Sequence, residues 1–167
     1  MNPLRQLYVE WTNLPAVKFV IVTTLLSIVF TIPVMMLLKA AGVESESMNI
    51  PDIRGMGIIW AIIYGVIIAP FVETIIGQTL PIFLVQRFVR WHPNVFAIIL
   101  STVVFAAAHL THSIFYPLII LPTALFLALT YIIFQQRKES SILMTFAVHA
   151  TKNLLAVLAV FGTFEKG

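Results

Sequence analysis

The chain contains no cysteine. That excludes disulfide staples, thiolate nucleophiles and every metal site built on cysteine, and it leaves the redox compartment undetermined. Charge is scarce as well: 10% of the 167 residues are Asp, Glu, Lys or Arg, against about 25% in a soluble domain. No internal repeat or low-complexity tract stands out, which weakens a repeat-built transporter architecture. The formal net charge of +3 does not point to nucleic acid. Its cations sit in short connections, where they set orientation across a bilayer.

What is abundant is apolar. Hydrophobic residues make up 60% of the chain and gather in five blocks, 16–38, 57–80, 94–112, 115–134 and 141–162. Each is close to the roughly 20 residues that span a bilayer as helix. The sequence therefore predicts an all-α, polytopic transmembrane helical bundle with about five spans, forming a single integral membrane domain over residues 1–167. The first block is too long for a signal-peptide core, and Lys39 interrupts the stretch where a cleavage site would lie, so it reads as a retained helix.

Connections fall at residues 41–55 (acidic, marked by Gly and Pro), 86–94, 109–114 and 135–140. With the amino terminus in the cytoplasm, Arg5, Lys18, Arg87, Arg90, Arg137 and Lys138 share that side, and Lys39, Arg54 and Lys166 lie opposite. Six against three favours that orientation, in a prokaryotic plasma membrane. Pro33, Pro70, Pro117 and Pro122 lie inside apolar blocks and predict kinks, and at Pro70 a break and restart just before Glu73.

Of seven acidic residues, six lie in connections or tails; Glu73 alone sits in an apolar block. An intramembrane carboxylate is costly and marks a functional site by default, although a neutral, hydrogen-bonded packing role is the plain alternative. In "AVHATKNLL", His149 and Asn153 stand four residues apart, and in "FAAAHLTHS" so do Phe105 and His109. That spacing puts each pair on one helix face. Either His149 or Asn153 alone could be interhelical glue. A lone acid, two imidazoles and an amide among so many apolar residues favour a site. His112, between Thr111 and Ser113, reads as a solvated turn residue, and His92, beside Trp91, as part of an interfacial belt. Lys152 points about 100° away from Asn153 around the helix and is assigned no chemistry.

"FVETIIGQ", "FAAAH" and "HATKN", in that order on successive apolar blocks, resemble the three motifs of the CAAX protease and bacteriocin-processing (CPBP/Abi) family of intramembrane glutamic endopeptidases. Those motifs are Glu-Glu-x-x-x-Arg, Phe-x-x-x-His and His-x-x-x-Asn, and the resemblance covers about residues 57–160. It implies that Glu73 and His109 activate a water molecule, that His149 and Asn153 stabilise the oxyanion, and that Phe105 supports them. It also implies a peptide or membrane-protein substrate, no cofactor and no nucleic acid. A carboxylate out of water is a stronger base than one in water, and donors count most where the dielectric is low.

Two positions depart from the family pattern. Thr74 stands at the second glutamate and Gln78 at the arginine. At i,i+4 they share a face distinct from that of Glu73, so a neutral hydrogen-bonding pair is expected in place of an ion pair.

Two other readings stay open. Glu73, His109 and His149 could bind zinc, or the chain could be an inactive membrane scaffold or immunity protein. Depth poses a further question. From the block ends, Glu73 and His149 lie roughly 10–12 Å from the cytoplasmic side and His109 about 22 Å. Their meeting requires tilt, a shifted boundary or a break at Pro70.

Overall fold

The computed structural model describes residues 2–44, 55 and 57–162. Arg54 and Lys166, counted above for orientation, lie outside the described residues, as does most of the 41–55 connection. The described residues form helices, with no strand among them. Five helices are long and apolar enough to cross a membrane: α2 (Ala16–Ala40), α3 (Ile58–Phe88), α4 (Pro93–Thr111, its last turn His109–Thr111 a tight 3₁₀ turn), α5 (Tyr116–Phe134) and α6 (Ser141–Gly162). They match the five blocks, with one large correction. The second span runs to Phe88, eight residues beyond the block that ended at 80.

A shorter helix that hydropathy did not signal, α1 (Pro3–Thr12), precedes them. Asn2 caps it, its side chain accepting from the Leu4 amide at 3.0 Å, and Pro3 opens it where no donor is lost. Arg137, between α5 and α6, donates to the carbonyls of Thr12 and Leu14 at 3.2 and 2.9 Å while pairing with Glu139. Trp11 stacks on Phe19 and donates to Thr23 Oγ1 at 2.9 Å. These contacts fasten α1 across one end of the bundle.

Helix α5 is the central element. Its residues join three of the packed clusters: Tyr131 and Ile132 with Ile82, Val85 and Ala97; Ala124 and Leu127 with Phe105 and Val148; Ile133 and Phe134 with Phe19. Helix α2 turns a stripe of small hydroxyl residues inward, Thr23, Thr24, Ser27 and Thr31. Ser27 and Thr31 return their hydroxyls to their own backbone, and Thr24 reaches the Val148 carbonyl of α6 at 3.4 Å. Small side chains let helix backbones approach where apolar burial gives no drive between lipid-solvated helices.

Helix α3 does not break at Pro70. It widens instead: residues 61–68 and 74–79 adopt π turns, each followed closely by a proline, Pro70 and Pro81. A proline ring crowds the carbonyl four residues back, and a five-residue register moves that carbonyl aside. The orphaned carbonyls are then claimed by neighbouring helices. Ala69 N–H bonds the carbonyl of Tyr64. Pro70 has no hydrogen to give the next one, Gly65, and Asn153 Nδ2 of α6 supplies it at 2.8 Å. In the second widened segment the Leu80 N–H bonds the carbonyl of Ile75, and Gly77 O accepts from Ser101 Oγ of α4 at 3.0 Å. Non-α backbone persists within a membrane only where such partners exist. Pro117 lies in the first turn of α5, where it costs no hydrogen bond.

Candidate active site

The longer α3 resolves the question of depth. Glu73 now lies 15 residues before Phe88 and His109 16 residues after Pro93, both at most about 22–24 Å from the same side at 1.5 Å per residue. His149 follows Ser141 by only eight residues, so α6 starts deeper than its neighbours or leans across them. The three side chains meet. Glu73 Oε2 lies 3.8 Å from His109 Nε2 and 3.6 Å from His149 Nε2, so one carboxylate oxygen faces the same nitrogen of two imidazoles.

Phe105 sets both rings. It is 1% exposed, and its ring lies 4.9 Å from that of His109 and 5.4 Å from that of His149. Its carbonyl lies 2.8 Å from His109 Nδ1. A carbonyl only accepts, so the neutral His109 ring carries its proton on Nδ1 and turns a bare Nε2 towards Glu73. His149 is buried, and its Nδ1 has no hydrogen-bond partner among the described residues. The tautomer with its proton on Nε2 gives this ring a donor facing the site. The Glu73 side chain keeps 36% exposure, so the carboxylate is reachable from outside the bundle.

Asn153 does not join this trio through its described hydrogen bond. One turn along α6, it holds the Gly65 carbonyl. Thr74 and Gln78 are both 0% exposed, but the expected bridge between them is not formed. Gln78 Oε1 and Gly77 O share the one hydroxyl hydrogen of Ser101, while Thr74 Oγ1 and Gln78 Nε2 have no partner among the described residues. The reason lies in the register. Residues 74–79 form π turns, in which the turn closes at i+5, as in the bond from the Leu80 N–H to the Ile75 carbonyl. Across this wider turn Gln78 Oε1 turns to Ser101 of α4, and the short threonine side chain does not reach it.

His112 is exposed, as expected of a turn residue, and its ring packs 5.9 Å from that of His109 and 5.4 Å from that of Tyr116. Tyr116 lies 5.7 Å from His109 and gave no signal in the sequence. Gly77 was also missed. A Cβ there would stand 2.7 Å from Phe105 Cδ2, and Phe105 is too buried to step aside. Gly77→Ala is therefore expected to cost about 1–3 kcal/mol through overpacking and to lower activity by tilting both imidazoles. Melting temperature and turnover of the purified variant test this; an unchanged melting temperature would show that Phe105 has room to move.

Among the described residues, no group of three or more His, Cys, Asp and Glu side chains is arranged to hold a metal ion. Two apolar hollows, about 350 Å³ beside Val89, Phe96 and Val103 and about 630 Å³ beside Phe30, Pro33 and Leu125, lie away from the trio. Their linings offer hydrocarbon contact and no chemistry.

Comparison with known sequences adds an independent line. The family model described as type II CAAX prenyl endopeptidase Rce1-like matches residues 55–155, which include Glu73, His109, His149 and Asn153. No curated protein and no solved structure matches the chain. The match covers well over half of the 167 residues, and the chain, a helical integral membrane protein with five candidate spans, belongs to the type II CAAX prenyl endopeptidase Rce1-like family of proteases.

Proposed function

We propose that the chain is an intramembrane endopeptidase in which Glu73 and His109 activate a water molecule for attack on a peptide bond. The observation that carries this reading is the convergence of one carboxylate oxygen and two imidazole nitrogens from three apolar helices. The 3.8 Å between Glu73 Oε2 and His109 Nε2 is too long for a direct hydrogen bond. It suits a water bonded to both groups from the side. The carboxylate and the bare imidazole nitrogen share the water's proton, and the oxygen adds to the scissile carbonyl carbon. His149, with its proton on Nε2, donates to the oxyanion that forms, and Asn153 offers the N–H not spent on Gly65. Collapse of the adduct breaks the C–N bond, and the proton passes to the leaving amine. The site belongs to a single membrane domain with its amino terminus in the cytoplasm, and Thr74, Gln78 and Phe105 support it.

The competing zinc reading uses the same three side chains and separates by experiment. If water is activated directly, cleavage of a peptide by the purified protein in detergent survives exhaustive chelation. The absence of Cys ligands and of an HExxH spacing leads to that expectation. Loss on chelation with recovery on added zinc, together with stoichiometric bound metal, would establish a metal site instead. A folded protein that cleaves no peptide would support the inactive scaffold.

A further inference from the structure

Lys152 lies 11 residues into α6 and 10 from its end, at the middle of the span. Its side chain turns into the bundle. Its Nζ donates to Thr123 Oγ1 of α5, a residue 2% exposed. An ammonium carries three donors, and no carboxylate pairs with this one among the described residues. Within an apolar span the bundle thus holds an amine with donors to spare and no carboxylate partner among the described residues, which marks a functional group by default.

Its place relative to the trio is specific. Lys152 follows His149 by three residues, which puts the two on neighbouring positions of one face. Glu73 approaches the imidazoles from α3 and makes no ion pair with Lys152. The three-residue spacing sets an amine, held by the Thr123 hydroxyl, about one turn along α6 from the His149 imidazole. An ammonium with unspent donors at that position suits a carboxylate on the peptide.

We propose that Lys152, seated on Thr123, recognises a carboxylate of the peptide substrate. This deepens the endopeptidase reading and rests on it. A carboxylate near the scissile bond is either the peptide's C-terminus or an Asp or Glu side chain; both offer the same two acceptor oxygens to an ammonium. Lys152 is thereby a specificity-determining residue and takes no part in bond breaking.

Binding is measured in the Glu73→Gln background, so that failure of the protease reading does not hide the result. Four versions of one fluorescent peptide are compared: free acid, C-terminal amide, acid with neutral side chains, and amide with neutral side chains. With Lys152 present, the version lacking all carboxylates is expected to bind about tenfold to a hundredfold more weakly than the free acid, as for loss of a charge-assisted hydrogen bond. The amide and the neutral-side-chain versions reveal which carboxylate is read. In Lys152→Met that difference should vanish, and Lys152→Arg should restore part of it. In the otherwise native protein, Lys152→Met should raise KM for the free acid and leave kcat within about threefold, a split that a structural role does not produce. Equal binding of all four peptides to the Lys152 protein would overturn the proposal. That comparison needs no Lys152 variant to fold. Discrimination that persists in a folded Lys152→Met protein would overturn it too.

Discussion

Glu73→Gln is expected to abolish peptide cleavage, by a factor on the order of 10³ or more, and to leave a folded protein. The amide matches the carboxylate in shape but cannot take a proton, so the change removes the base and little else. Nothing in the packing depends on the charge. Glu73 is about one-third exposed, and its nearest polar neighbours, the two imidazole nitrogens, stand beyond hydrogen-bond distance. His109→Ala and His149→Ala should be comparably inactive, although each also removes a ring that packs on Phe105. The measurement is turnover of a peptide by monodisperse purified protein. A Glu73→Gln enzyme as active as the native one would end the glutamate mechanism, whatever the histidine variants do.

The largest effect on stability is expected at Thr74 and Gln78. Thr74→Glu would put a second carboxylate into a fully buried position one residue from Glu73. A buried charge without a partner is destabilising by about 3–5 kcal/mol. Gln78→Arg would bury a guanidinium beside Ser101 and disturb the hydrogen bond now made there, with a loss of similar size. The double variant tests geometry. Thr is too short to meet Gln78, but Glu and Arg are long enough to pair across the π turn. A double-mutant cycle should then show favourable coupling of about 1–3 kcal/mol. Thermal melting in detergent of both singles and the double supplies the numbers. Strict additivity would mean that positions 74 and 78 point apart, and that the pair is not the counterpart of the family's glutamate and arginine.

Much of the site was legible because a polar residue is conspicuous against hydrocarbon. Glu73, His109 and His149 stood out by isolation, and the structure brings those three within 3.8 Å of one another's reactive atoms through Glu73. Asn153 shared the face of His149 as the spacing required, yet its amide is committed to Gly65 O. Ser101, Gly77 and Thr123 carried no signal. A serine, a glycine and a threonine in an apolar helix are unremarkable until the neighbour that needs them is known.

The apolar blocks by themselves determined the class of fold, because about 20 residues of hydrocarbon leave a chain few ways to satisfy its backbone except helix. They also determined which side chains had no business in lipid. Register and depth were decided only by the tertiary structure. Hydropathy ended the second span at residue 80, whereas the helix runs to Phe88, and that shift is what brings Glu73 level with His109. Pro70 looked like a break, but whether a proline breaks a helix or widens it depends on who meets the carbonyl it leaves behind. Here Asn153 does, from a helix far away in sequence. The direction of Lys152 was settled in the same way, by Thr123 on another helix. Such choices turn on single hydrogen bonds between distant segments in a medium without water, and the periodicity of one segment does not encode them.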